Sequence, residues 1–404
     1  MAMFLTLLHL LVVFTASSYG QVFDGLLTFD VLKSWGYNET STQLSLFSRG
    51  ISSIQDNTFQ SFTNLQEIYL TFNKLTNIKA STFSNLPKLK VLDFEYNEID
   101  TIEDMSFKDL VNLVSLDLTS NNLNQITSNT FTGLQNLTYL SINENPLSSI
   151  QDGVFSPLGK LETLYVSLIE QFTQITSNTF AGLTSLTFLD LFGCQISSIQ
   201  DGSFSNLVNL ETLDLSANAL TSIKAGAFNG LVNLVELLAS QNQITTIEDN
   251  SLAELSKLEF LELSINSIGS INLNSLNGLS NLLTLDFNEN QINFIEDNAF
   301  AGLSNLKVLM FDANQLSSVD YPKLAGLTSL DILYLNDNSF TSLQNKPFQD
   351  LASLETLDIG DNSLTVIESE SFVGLSNLVY LDMSFNLITA VQQDAFKGLS
   401  KLKV

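Results

Sequence analysis

Leu210-Glu211-Thr212-Leu213-Asp214-Leu215-Ser216-Ala217-Asn218-Ala219-Leu220-Thr221-Ser222-Ile223 reads L-x-x-L-x-L-x-x-N-x-L-x-x-I and closes on Phe228 and Leu231. Its Leu213-Asp214-Leu215 core alternates with period two, as a short strand with one buried face does. Such a strand cannot bury its leucines alone. The stretch recurs, however. Its asparagine slot is filled by Asn73, Asn97, Asn121 and Asn145, then by Asn218, Asn242, Asn266, Asn290, Asn314, Asn338, Asn362 and Asn386, 24 residues apart within each run. The 73-residue spacing from Asn145 to Asn218 holds two further slots, one near Ile169 in a repeat with one extra residue and one at Cys194. Arg49 fills a slot upstream. Fifteen registers therefore run in phase.

A second column follows about ten residues after each slot: Phe59, Phe83, Phe107, Phe131, Phe155, Phe180, Phe204, Phe228, Leu252, Leu276, Phe300, Leu324, Phe348, Phe372 and Phe396. A fixed period of this length is the mark of a solenoid, in which each coil contacts only its neighbours. The slot asparagine has a short polar side chain suited to backbone groups left open where the strand turns, so the slots should form a ladder. Cys194 is expected to be an ordinary substitute in it, and the phenylalanines a second stack below the convex side.

The pattern resembles the extracellular, 24-residue type of leucine-rich repeat over roughly residues 44–404. That resemblance implies an α/β repeat solenoid. It would be a horseshoe with a concave parallel sheet of about fifteen short strands and an irregular or short-helical convex side, and its sheet arc would measure roughly 70 Å. Toll-type ectodomains, arthropod adhesion proteins and the non-catalytic repeat subunit of a shrimp luciferase are similar at the repeat level. A finer period is also present. Acidic turns at Gln55-Asp56, Glu103-Asp104, Gln151-Asp152, Gln200-Asp201, Glu248-Asp249 and Glu296-Asp297 mark every second repeat, which suggests growth by duplication of a two-repeat unit.

Residues 1–20 have the order of a secretory signal: an apolar run from Phe4 to Phe14, then Ala16-Ser17-Ser18-Tyr19-Gly20. Cleavage after Gly20 would leave Gln21 first, and the product would be secreted, or held at the cell surface if an anchor follows. The sequons Asn38-Glu39-Thr40 and Asn136-Leu137-Thr138 agree with that route. Residues 21–43 are expected to cap the solenoid without disulfides, using Phe23, Leu26, Leu27, Phe29 and Trp35. At the other end, Leu399 to Val404 open a sixteenth repeat. Either the sequence is a fragment, or the last coil is bare and is covered by a partner or by a second copy in a homo-oligomer.

Charge narrows the function classes. Acidic residues number 43 against 16 basic ones, a net charge of −27. Nucleic acid and anionic membrane surfaces are poor partners for such a chain. The only histidine, His9, lies in the signal segment, so neither a Ser-His-Asp nor a Cys-His arrangement is expected. No phosphate-cradling loop is present, and carboxylates on an open strand face are solvated. The chain reads as a non-enzyme with no cofactor. Adjacent aspartates such as Asp93 with Asp117 lack the clustered spacing of a calcium loop, so no metal site is assigned.

The binding surface is the stronger signal. One exposed strand column reads Ser45, Tyr69, Asp93, Asp117, Ser141, Tyr165, Asp190, Asp214, Leu238, Glu262, Asp286, Met310, Tyr334, Asp358 and Asp382. Phe72, Tyr96, Tyr139, Phe188, Phe192, Phe260, Tyr380 and Phe385 lie beside it. The aspartates have a bland reading as local backbone bonding. Projecting aromatics are instead the usual anchors of interfaces. The expected ligand is a basic, partly apolar protein, held by adhesion or receptor-type recognition. A subunit that stabilises an enzyme and recognition of microbial ligands are the alternatives. Leu168 to Phe172, in the repeat with the extra residue, is either a tolerated bulge or an exposed apolar bump.

Overall fold

The computed structural model describes residues 23–404; the expected signal segment, the expected cleavage point before Gln21 and the first residues of the expected cap lie outside the described residues. Fifteen three-residue strands, from Gln43–Ser45 to Tyr380–Asp382, form one parallel sheet in which each strand pairs with its neighbours in sequence. The middle residue of each points inward. Leu213 sits between Leu189 and Leu237 and is fully buried. Burying such a side chain is worth about 1.5–3 kcal/mol, and the row of leucines makes the core one continuous cluster.

Of the two convex forms expected, the irregular one is present. Among the described residues the only helix is Phe29–Ser34. Elsewhere the return arm is a series of i to i+3 turns, such as Thr58 N–H to Gln55 O and Phe62 N–H to Phe59 O. Left-handed residues such as Asn57 (φ 63°) and Asn250 (φ 59°) interrupt it before a helix can propagate. Coils also approach too closely for bulk there. A Cβ on Gly133, itself at φ +100°, would lie 2.4 Å from Lys108 Cα.

The slot ladder is built as expected. Asn121 Oδ1 accepts from Ile99 N–H at 3.0 Å, while its Nδ2 donates to Phe94 O and Leu118 O at 3.0 and 3.1 Å. Each slot amide thus ties its own turn to the coil before it. Cys194 is buried in the same place, and its thiol donates to Val166 O. Burial pushes that thiol up to about 12, which makes it inert. The phenylalanines stack from coil to coil, with ring centroids 5.7 Å apart for Phe59 and Phe83 and 6.0 Å apart for Phe180 and Phe204.

The every-second-repeat acidic turns have a physical role. Glu103 Oε2 accepts from Ala80 N–H of the preceding coil, and Asp104 accepts from Thr127 Oγ1 and Asn129 Nδ2 of the following one. Glu248 and Asp249 likewise reach back to Ala225 N–H and forward to Asn274. One acidic coil therefore clasps both neighbours, and the intervening coil need only supply donors.

The N-terminal segment seals the first coil. Leu27 and Leu32 are fully buried, Phe29 meets Phe62 edge-on, and Trp35 packs on Phe23 and under the Arg49 guanidinium. Leu26, expected to pack inward, faces out with 38% of its surface exposed, because it alternates with Leu27 along a two-residue strand. In the repeat with the extra residue, Ile169 and Phe172 turn into the core, and of the three apolar residues from Leu168 to Phe172 only Leu168 is exposed. This is the tolerated bulge.

Candidate binding surface

The concave face presents the first and third residues of every strand, and none of these is Lys or Arg. Its acidic column has a structural task. Asp93, Asp117, Asp190, Asp214, Asp286, Asp358 and Asp382 each accept the backbone N–H two residues on, at 2.7–2.9 Å. A carboxylate so placed closes the strand exit, as local side-chain to backbone bonds do at turns. In-phase pairing sets Asp93 beside Asp117, Asp190 beside Asp214 and Asp358 beside Asp382. Burial raises the carboxyls of Asp93, Asp117 and Asp190 above the usual carboxylate range, and carries Asp286 up to about 6. Glu262, one strand from Asp286, instead accepts from the Ser264 hydroxyl. Among the described residues no three His, Cys, Asp or Glu side chains form a metal-binding group.

The aromatics gather into two clusters. At the strand exits near the N-terminus, Phe72 stacks on Tyr96 with centroids 4.4 Å apart and meets Phe47 edge-on at 5.3 Å. Phe72 and Tyr96 hold φ values of 56° and 52°, a strained region for bulky side chains. The left-handed turn before the slot recurs in other coils, often on small or polar residues such as Ser48, Ser120 and Ala217. Mid-sheet, Tyr139, Tyr165 and Phe188 form a row with centroids 5.7 and 5.1 Å apart. Burial, then Asp117, raises the Tyr139 hydroxyl; burial, then Asp190, raises that of Tyr165. Both phenols therefore stay protonated at neutral pH.

The remaining expected residues are more scattered. Tyr69 donates to Glu67, and Phe192 is exposed beyond Asp190. Phe260 and Glu262 share a strand between Glu236–Leu238 and Thr284–Asp286, away from both clusters. Tyr380 and Phe385 stand on the last coil, Phe385 with 80% of its surface exposed.

Sequence reading missed a second ladder on the strand-entry flank. Asn112, Asn136, Asn209, Asn233, Asn281, Asn305 and Asn377 each donate Nδ2 to a carbonyl of the preceding coil at 2.6–2.9 Å. Its signal was the Asn-Leu pair that precedes many strands by a few residues. It also bears on the sequons. Asn136 Nδ2, the glycan-accepting atom, is engaged to Val111 O, and its Oδ1 accepts from Lys160 Nζ at 2.7 Å. Asn38 is exposed and its side chain is held through Oδ1, by Thr40.

Leucine-rich repeat models match residues 63–123 and 328–388, and a BspA-type leucine-rich repeat region matches residues 100–234 and 197–321. The chain belongs to the leucine-rich repeat family. No curated protein matches it. Among solved structures, this leucine-rich-repeat chain is similar to Toll in a Drosophila Toll–Spatzle complex, with a TM-score of 0.75, 23% identity, and 85% of this chain covered. It spans about half of that Toll chain, 47%. An internalin from Listeria monocytogenes gives a TM-score of 0.58 at 25% identity, with 92% and 93% of the two chains covered. TLR13 in a complex with single-stranded RNA gives 0.50 at 23% identity, covering 88% of this chain and 72% of that one. These likenesses concern the horseshoe. No helix among the described residues is long and apolar enough to cross a membrane.

Proposed function

We propose that this chain is an extracellular, non-catalytic binding scaffold whose concave sheet docks a basic, partly apolar protein. The observation that carries the reading is the pair of aromatic clusters, Phe47–Phe72–Tyr96 and Tyr139–Tyr165–Phe188, set among carboxylates with no cation on the sheet face. The aspartates have a structural role of their own; the aromatics bond no backbone turn in that way. Aromatic faces flanked by carboxylates suit Arg and Lys side chains, which stack on rings while pairing with acids. The absence of Lys and Arg from the strand-face positions argues against a polyanion there. The Toll likeness supports a protein ligand, since that Toll structure is a complex with Spatzle. The apolar opening of the sequence supports secretion, and Asn38 is then the favoured glycan site.

The test is affinity capture from secreted material with wild type and a Tyr96→Ser/Tyr165→Ser variant, at low and moderate salt. A partner retained by wild type, lost from the variant and weakened by salt is expected. A set of captured proteins identical for the two chains would overturn the reading.

A further inference from the structure

The strand-entry flank carries a feature opposite in sign to the rest of the molecule. A groove of about 630 Å³ crosses the early coils there, framed by Lys88, Lys90 and Lys160 over an apolar floor of Pro87 and Val114, with no carboxylate in its lining. Acids outnumber bases nearly three to one in this chain. Yet the ion pairs among the described residues are Lys307–Asp331 and Lys346–Glu370, and neither involves a groove lysine. Lys88 and Lys160 are steered along the flank by neutral amide oxygens, Asn64 Oδ1 and Asn136 Oδ1, each at 2.7 Å. Their charge is oriented and left uncompensated.

The same flank supplies its own control. The column that reads Gln66, Lys90, Val114, Thr138 in the groove continues as Glu162, Thr187, Glu211, Val235, Glu259. A comparable groove of about 440 Å³ farther along has Glu211 and a single lysine, Lys257. The basic stretch is therefore local. At physiological salt the field of the distant carboxylates is screened beyond about 8 Å, so a ligand in the groove meets the lysines rather than the net charge.

We propose that this groove docks an extended acidic peptide segment of a partner protein, independently of the concave face. Lys88 and Lys160 stand three coils apart, roughly 14 Å. Carboxylates about four residues apart on an extended chain span the same distance. The floor decides between anions. Val114 keeps 39% of its surface exposed beside Pro87, an apolar strip that an apolar side chain of a peptide covers and that phosphate or a polyanionic sugar does not use.

The probe is a fluorescein-labelled peptide of Asp and Glu with one central Leu, followed by anisotropy on the full chain. Lys90→Glu is the main variant, because no hydrogen bond or ion pair of the Lys90 ammonium is seen among the described residues and the fold has no need of it. Binding is expected in wild type, to weaken about tenfold in Lys90→Glu, to persist in Lys257→Glu, and to weaken when the peptide Leu becomes Ser. Absence of binding, or equal binding by wild type and Lys90→Glu, overturns the proposal. So does displacement by inorganic phosphate at matched ionic strength together with indifference to the Leu, which would leave only a simple anion site. Tyr96→Ser/Tyr165→Ser should bind the probe unchanged, so this result and the concave reading succeed or fail separately.

Discussion

The two ends of the solenoid carry the same repeat and meet different fates. At the N-terminal end, Leu27, Leu32, Leu44 and Leu46 are fully buried, because a helix and a two-residue strand lie across the first coil. Tyr37 adds a tie, its hydroxyl donating to Ser45 O and accepting from Ser45 N–H. At the C-terminal end, Val391 and Phe396 sit at core positions of the pattern yet expose 54% and 39% of their surface. The lesson is that a repeat position has no energy of its own. A leucine stabilises a coil only where the next coil covers it, and the pattern names the positions to be covered without saying what covers them.

The comparison can be broken most directly by matched substitutions. Leu32→Ala should cost about 3 kcal/mol, as a buried leucine truncated to alanine does, whereas Val391→Ala should cost under about 0.5 kcal/mol. Urea unfolding of the two variants checks this, and equal losses would mean that the exposed coil is covered in solution. Next comes the ladder. Asn266→Ala strips a buried amide from four backbone partners and should cost about 3 kcal/mol, against roughly 1 kcal/mol for the half-exposed Asn386→Ala. Asn266 bonds Ala239 O, Leu263 O, Ser264 O and Ile244 N–H. The spine gives a smaller contrast: Phe204→Leu should lose about 1 kcal/mol and Phe396→Leu almost nothing, read by thermal melts.

The smallest effect has opposite signs in the interior and at the end. Asp286, raised by burial to about 6, favours its protonated form in the fold. Its penalty is present at neutral pH and relieved as pH falls from about 6 toward 4. Asp286→Asn should therefore raise Tm at pH 7, with the gain gone near pH 4. Asp382, on the exposed coil, is lowered by its bonds to Ser384. Its contribution is present above the ordinary carboxylate pKa and lost in acid, so Asp382→Asn should lower Tm slightly at pH 7 and not at low pH. Melts from pH 7 down to about pH 2 check both, and like signs at pH 7 would remove the distinction between the coils.

The coil register, the slot amides and the phenylalanine spine were legible because their period is rigid and each position has one physical task. The concave columns were legible as positions, since side chains alternate along a strand. The clustering of aromatics was only half legible. Phe72 and Tyr96 belong to adjacent coils at equal register, so their stacking follows from the repeat. The row Tyr139, Tyr165, Phe188 instead alternates between the first and third strand positions, and its contacts depend on side-chain rotamers. The bonding of the aspartates was visible only as one of two readings, because a strand-exit acid serves a backbone amide and a ligand with the same atoms. The lysine groove was not legible. Lys88, Lys90 and Lys160 are separated by up to three repeats, and only the flank brings them into line.

The clasps, the slot amides and the flank amides run as three separate lines down the stack, one on the convex side, one at the strand exits and one at the strand entries. In mechanical terms this is a beam laced along three edges. Bending it in any direction stretches at least one line of bonds, so the stack should be stiff and should keep its surfaces at constant separation. A partner with both a basic patch and an acidic tail would then meet two docking surfaces at a fixed span. The second contact would form at an effective concentration set by the partner's linker rather than by flexing of the scaffold.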